Sequence, residues 1–432
     1  MANSLFARGA LLLIYGFVFI ASPTSVWAVE QPLSLAEVIE YCLHNNADLK
    51  SLREENGVFD AGKVKAGVLP NPTLDFEAST GALTGSRAEN TLSVGISQEL
   101  LLAGKKSKRL AVAERELEIY RYHLADRERL MREDVAFVFY DVTMAEKRLA
   151  LADRSIALNR QLLDVTIARL AVGDIPELEM NMVKVELARS EAIRIELENA
   201  LNQYKEKLSA LMGMVAGTQY EISGAIESNR DLGNSLAELK QMAMSLRPDL
   251  KALEAERRRG NAGVLLARAE GVPNLTAGIA VWRDTKSMNI GGLEGTDKSY
   301  TIGMKLSVPI PVFDRNQAGV QEALAKRVST ESRLAAASRN LEREVETAYA
   351  SYKSSEKILS LYKASIIPQL EENLNLTGEA YRLGEVGILS VMQEQKKFFE
   401  VSEDYLKAQH EHQIAHVKLE SVVAKEITGG MQ

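Results

Sequence analysis

The chain has 432 residues, a formal net charge of −7, 46% hydrophobic and 26% charged residues, and a single cysteine. A mildly acidic chain with no basic run lacks the electrostatic footprint that nucleic acid requires, and one cysteine excludes a disulfide framework. Beyond the first 28 residues no stretch of about 20 apolar residues occurs, so no transmembrane helix is predicted after processing.

Residues 1–28 read as a secretory signal peptide. Arg8 is the lone charge, an apolar run spans 10–20, and Val26-Trp27-Ala28 offers a cleavage site. Cys42 follows inside a helical pattern, which favours a small core residue over a lipid attachment site. An opening helix is predicted over 34–67. Pro70-Asn71-Pro72 then leads into two alternating segments, 73–80 and 91–99, joined by a polar loop. Leu74, Phe76, Ala78 and Leu92, Val94, Ile96 take one face. Asp75, Glu77 and Ser93, Gly95, Ser97 take the other.

The segment 105–172 contains neither proline nor glycine. As one helix it runs roughly 100 Å, at about 1.5 Å per residue. Leu110, Leu117, Leu124, Met131, Val138, Ala145 and Ala152 recur at heptad spacing. The helix stops at the tip 173–176, Gly173-Asp174-Ile175-Pro176, where glycine past the helix end and proline at the next start are the expected chemistry. A return helix follows over 176–212.

From residue 233 the order repeats. Ser34-Leu35-Ala36-Glu37 and Asp48-Leu49 are answered 201 residues later by Ser235-Leu236-Ala237-Glu238 and Asp249-Leu250. Strands are predicted over 275–283 and 299–308, with a Gly-rich polar loop over 284–298. A long helix over 316–383 follows, with Pro368 marking a kink. The second tip is 384–387, Gly384-Glu385-Val386-Gly387, and a return helix spans 388–427. The offset drifts to about 211, as loop insertions would cause. A period of this size is a duplicated unit, not a solenoid, giving repeats over 29–232 and 233–432. The fold class is mainly α with a small β part, built from a duplicated helix–β-hairpin–long helix–helix unit. In each repeat the two shorter helices placed end to end match the long one, which predicts a wall of parallel-lying helices.

Short strands with one apolar and one polar face suit a membrane β-barrel with a wet lumen, or a soluble hairpin with one buried face. Four strands cannot close a barrel, and open edges cannot face lipid. The membrane reading therefore needs an oligomer, and three copies give twelve strands.

No Walker loop, dinucleotide fingerprint, Gly-x-Ser-x-Gly elbow or cysteine pair occurs, so no catalytic or cofactor-binding residue is assigned. His412 and His416 are one helical turn apart and are the weak candidates for a metal pair. Gln413 stands where a zinc-protease motif needs glutamate, and His410 points to a different side. Polar histidines on a helical wall are the favoured reading. Asp141, Asp134 and Arg127 read as interhelical polar contacts.

The duplicated units and the glycine-marked tips together resemble the TolC-like outer-membrane factor family over nearly the whole mature chain. Leu35-Ala36-Glu37, Asn46-Ala47-Asp48-Leu49, Pro70-Asn71-Pro72, Gly173 and Gly384 carry the resemblance. The run from Val308 through Pro309, Ile310, Pro311, Val312, Phe313 and Asp314 to Asn316 is similar to the strand-to-helix junction of the heavy-metal, CzcC/CusC-like branch. There the double proline ends the strand, and Asp314 or Asn316 caps the helix.

The resemblance implies a homotrimer. A twelve-stranded barrel crosses the outer membrane of a Gram-negative bacterium, in contact with outer-membrane lipid, and continues as a periplasmic α-helical barrel. It implies a passive duct rather than an enzyme. Tip residues Gly173, Asp174, Gly384 and Glu385 dock a periplasmic adaptor (membrane fusion protein), which links the duct to an inner-membrane pump of the resistance-nodulation-division type. Heavy-metal cations are the favoured cargo, with drug efflux or type I secretion as the alternative. A periplasmic coiled-coil adaptor is less favoured, because it should carry one hairpin and no duplicated strand pairs.

One departure concerns the gate. Many family members carry acids six and nine positions after the second tip glycine. Here those positions are Ser390 and Gln393, whereas Glu179 stands six after Gly173 and Glu394 one beyond Gln393. Either Glu179, Glu385 and Glu394 build the gate, or it is less acidic.

Overall fold

The computed structural model describes residues 32–83, 87–223 and 232–427. The expected signal peptide lies outside them. The elements in chain order are α1 (Leu35–Asn45), α2 (Ala47–Glu54), α3 (Asn56–Gly67), β1 (Thr73–Thr80), β2 (Asn90–Leu100), α4 (Lys105–Ala171) and α5 (Glu177–Met212). They continue with α6 (Leu236–Leu246), α7 (Pro248–Glu270), β3 (Leu275–Ile290), β4 (Leu293–Ser307), α8 (Gln317–Leu361), α9 (Ile367–Arg382) and α10 (Ile388–Val423).

Both halves open on the same capping box. The Glu37 carboxylate accepts from the Ser34 amide at 2.8 Å while Ser34 Oγ accepts from the Glu37 amide. Ser235 and Glu238 repeat the pattern. Each box satisfies two helix-end donors reciprocally. The helix expected over 34–67 divides into three. Asn46 turns to ψ 125°, and its Oδ1 accepts from the Asp48 and Leu49 amides at 3.1 and 3.2 Å. Asparagine competes with the helix backbone in this way. In the second half the break falls at Arg247, and Pro248 opens α7, where its missing N–H costs nothing.

Helix α4 is unbroken for 67 residues. Leu117, Met131, Val138, Ala145 and Ala152 of the heptad seam are buried, while Arg127 and Asp134 are exposed. The counterpart in the second half is interrupted. A π turn at Tyr362–Ile366 separates α8 from α9, and Pro368 lies in the first turn of α9. Proline lacks an N–H and crowds the carbonyl four residues before it. The wide turn just ahead absorbs that misfit.

Helices α3 and α5 both pack on α4. Helices α7 and α10 pack on α4 as well as on α8, so the halves share their walls. Two equivalent cores hold the middle of the long helices. One joins Val38, Cys42, Leu49, Met131, Val135, Val138, Val142, Leu208 and Met212. The other joins Leu239, Ala243, Leu250, Leu341, Val345, Ala348, Tyr352, Leu419 and Val423. The paired residues differ in number by 201, 210 or 211 as the chain advances.

The four strands form one antiparallel sheet in the order β1-β2-β3-β4, with β1 and β4 at its edges. Strands expected over 275–283 and 299–308 are longer at their far ends. Much of the expected loop 284–298 is hairpin, closed by Gly291 and Gly292 at φ +61° and +90°. Two positive-φ glycines make a hairpin turn whose twist suits antiparallel strands. Past Arg283 the apolar–polar alternation ends, which hid these residues from a pattern-based reading.

Candidate functional site

The register places the apolar residues of all four strands in continuous rows. Leu74, Ile96, Ile279 and Met304 form one; Phe76, Val94, Val281 and Ile302 form the next. All are exposed, Phe76 at 69% and Met304 at 77%. The opposite face has the rows Asp75–Gly95–Ala280–Gly303 and Glu77–Ser93–Trp282–Thr301. A Cβ on Gly95 would lie 2.8 Å from the Ala280 Cβ, and one on Gly303 2.8 Å from the Trp282 ring. Glycine within strands marks such close approaches. An apolar sheet face of this extent is foreign to a water-exposed surface and is the surface a bilayer requires.

At the sheet's lower end the junction with the helices is polar and tied. Lys105 Nζ, buried, donates to Asn274 Oδ1 at 2.6 Å, and Asn274 donates to Glu99 at 2.6 Å. Asp314 accepts from the Asn316 amide at 2.7 Å. Asn316 does not cap α8 through its side chain, as the sequence had suggested. It donates to the Ala267 carbonyl at 2.7 Å and takes φ +58°.

The far ends of the helices carry the two tips, and both turn by the same hydrogen bonds. The Gly173 amide donates to Leu170 and the Asp174 amide to Arg169, at 2.9 and 3.0 Å. The Gly384 amide donates to Tyr381 and the Glu385 amide to Ala380, at 3.1 and 2.8 Å. Gly173 and Gly384 have φ +75° and +80°, the left-handed residue this helix stop requires. Arg169 joins the two tips. Its Nε donates to Asp174 at 2.7 Å, its Nη1 donates to the Tyr381 carbonyl at 3.0 Å, and its guanidinium lies 4.7 Å from the Tyr381 ring centre. The Asp174 hydrogen bond, then the charges of Asp174, Tyr381 and Glu179, raise its pKa further against the opposing effect of burial. Beneath it, Leu162, Val183, Tyr381, Ile388 and Val391 form an apolar cluster spanning both hairpins.

The expected gate residues differ in their surroundings. Glu179 belongs with Arg169 through its charge, and one of its carboxylate oxygens is buried without a hydrogen-bond partner among the described residues. Glu394 on α10 has a similarly enclosed oxygen. Glu385 is exposed at the tip. Ser390 and Gln393 share the exposed face of α10 with Lys397, opposite buried Ile388, Val391 and Gln395. Sequence reasoning missed Arg169 and Tyr381. The available signal was the difference between the copies: Tyr381 stands where the first repeat has Leu170.

His412 and His416 are buried against Tyr352, at ring separations of 4.9 and 5.9 Å. His412 Nδ1 lies 3.2 Å from Ser355 Oγ, and His416 Nδ1 3.6 Å from Glu420. Burial holds His412 below its ordinary pKa. His410 faces α4 instead and pairs with Asp141 at 2.9 Å. Among the described residues, no group of three or more His, Cys, Asp or Glu could hold a metal ion, and no helix is long and apolar enough to cross a membrane.

The sequence profile of the outer membrane efflux protein family matches residues 38–214 and 239–425. The chain is 25% identical over 375 residues to the cobalt-zinc-cadmium resistance protein CzcC of Cupriavidus metallidurans, covering 87% of this chain and 86% of that protein. It is 26% identical over 290 residues to the nickel-cobalt-cadmium resistance protein NccC of Alcaligenes xylosoxydans, covering 64% and 60%. Its fold is similar to that of CusC, with a TM-score of 0.74 at 19% identity over 90% of this chain and 91% of that one. The open outer membrane channel MtrE of Neisseria gonorrhoeae gives a TM-score of 0.72 at 18% identity, covering 91% and 89%.

Proposed function

The chain belongs to the outer membrane efflux protein family, and from that membership we propose that three copies close one passive duct for heavy-metal cations. The observation that carries the reading is the sheet with a bare apolar face and two edges unpaired among the described residues. Edges cannot remain open in lipid, and three such sheets make a twelve-stranded barrel within the range such barrels adopt. Each copy contributes two related units, 29–232 and 233–432. The helices continue the barrel as a tunnel on the periplasmic side, at about 1.5 Å per residue for some 100 Å. The tips at Gly173, Asp174, Gly384 and Glu385 meet a periplasmic adaptor, which couples the duct to an inner-membrane pump of the resistance-nodulation-division type. The chain needs no catalytic group, since the pump supplies the energy.

Two observations favour cations as cargo. Two relatives are named for resistance to cobalt and cadmium, with zinc for one and nickel for the other. On the polar face of the sheet, Asp75, Glu77, Glu99, Asp284 and Asp297 outnumber Lys286 and Lys305, and acidic linings favour cation passage. The experiment is deletion of the gene, with complementation, in the native host. Loss of resistance to cobalt, zinc or cadmium, with a trimer recovered from the outer-membrane fraction, is the expected result. Unchanged metal resistance refutes the cargo, and a monomer absent from that fraction refutes the duct.

A further inference from the structure

Above the apolar rows, the lipid-facing side of the sheet changes character within one step. The next row on that face is Ala78–Leu92–Arg283–Tyr300, and the one after it is Thr80–Asn90–Thr285–Lys298. Among strand residues with described side chains, Arg283 and Lys298 are the only charged groups on this face. The lumenal partner of the same hairpin is different: Lys286 stands opposite Asp297 on the polar face. Arg283 is half-buried, and its Nε is enclosed without a hydrogen-bond partner among the described residues. Tyr300 beside it is 73% exposed.

Height along the strand fixes what these groups meet. From Tyr300 to Val308 is eight residues, roughly 27 Å at about 3.4 Å each, close to the apolar height of outer-membrane barrels once tilt is included. The helices leave from the other end of the sheet, so Arg283 and Lys298 mark the outer rim. An amphipathic tyrosine belongs at that boundary. A long cationic stem can lie along apolar surface and lift its head to the interface. A guanidinium fork there, with a lysine one row above, matches a phosphate.

We propose that Arg283 and Lys298 form a docking surface for the phosphate groups of the glycolipid of the outer leaflet, lipopolysaccharide. The proposal rests on the barrel reading above, since it needs this face in lipid.

The test measures lipopolysaccharide bound by the full-length protein in nanodiscs, comparing phosphorylated with dephosphorylated lipid A. Variants are Arg283→Gln with Lys298→Gln, and Lys286→Gln as a lumenal control at similar height. The double variant should bind the phosphorylated form about thirtyfold more weakly, two cations at about 1 kcal/mol each. The control should bind as the unaltered chain does. Equal affinity of the double variant, equal loss in the control, or equal binding of the dephosphorylated lipid overturns the proposal while leaving the duct intact. Outer-membrane fractionation of the unaltered chain reports on the duct separately, and its absence from that fraction overturns both.

Discussion

Arg169→Ala should loosen the junction between the two hairpin tips. The substitution removes a charged hydrogen bond to the Tyr381 carbonyl at 3.0 Å, worth about 1.5–3 kcal/mol. It also removes the stacking on the Tyr381 ring at 4.7 Å, worth about 0.5–1 kcal/mol at a partly exposed site. The Asp174 pair adds only a few tenths of a kcal/mol, roughly, because the Asp174 side chain is 54% exposed. The low end of the total is about 2 kcal/mol, or about thirtyfold in the equilibrium between joined and separated tips. Spin labels on Val172→Cys and Leu383→Cys, both exposed, would read that equilibrium as a distance distribution. Channel conductance in planar bilayers would read its consequence. The distribution should broaden to longer distances and the conductance rise. Arg169→Lys should fall between, since lysine keeps the charge and loses the fork. Arg382→Ala is the control, its pair with Glu379 lying exposed on both sides. Unchanged distances and conductance in Arg169→Ala, or equal changes in Arg382→Ala, would show that Arg169 does not hold the tips together.

Ala424 ends α10 at φ +58° with the hydrogen bonds that Gly213 makes at the end of α5. Ala424→Gly should raise stability by about 0.5–1 kcal/mol, the left-handed penalty less the added chain entropy, read as an upward shift in thermal unfolding. Gly213→Ala should do the reverse more strongly, because a Cβ there would lie 2.9 Å from the Asn45 carbonyl oxygen. Burial raises the Cys42 thiol to about 12, so a maleimide at neutral pH should label only the unfolded protein; rapid native labelling would contradict the packed core around α1. His412 is held below 6.5 by burial, with Glu356 opposing and Lys353 adding to the shift. The unfolded chain then binds the extra proton first, so this contribution is complete above about pH 6.5 and is lost as pH falls toward the folded value. His412→Gln should flatten the decline in unfolding temperature between about pH 7 and 5, and an unaltered slope would remove His412 from the account.

The sequence was most legible where one residue type has one physical use. Gly173 and Gly384 stop helices because the left-handed turn excludes most other residues, and α4 is long because nothing in 105–171 breaks it. Strand faces were legible as far as alternation lasted, from Leu275 to Arg283. Beyond that the hairpin stands clear of the apolar band, and Thr285, Ser287, Thr296 and Lys298 occupy the face that was apolar, so the alternation is lost. The break at Asn46 was not legible, since asparagine is tolerated in helices and becomes a cap only when its own ψ turns. The difference between the copies at Tyr381 was legible, but the Arg169–Tyr381 contact was not. Its partners lie 212 positions apart, and neither belongs to a motif. The histidine pair shows the limit of spacing: His412 and His416 share a helix face, but Tyr352 from α8 lies against both rings.

The two unpaired sheet edges also bear on how the protein reaches its membrane. A lone chain presents Phe76, Tyr300, Ile302 and Met304 to water beside strand edges that invite any passing strand. It can neither enter a bilayer with those edges open nor stay soluble for long with that face uncovered. On the three-copy barrel proposed above, insertion is a joint event, steep in chain concentration, and transit before it is the stage most exposed to misassembly. A periplasmic holdase with affinity for alternating apolar strands would act on this interval, and its loss should lower the number of ducts without altering those that form.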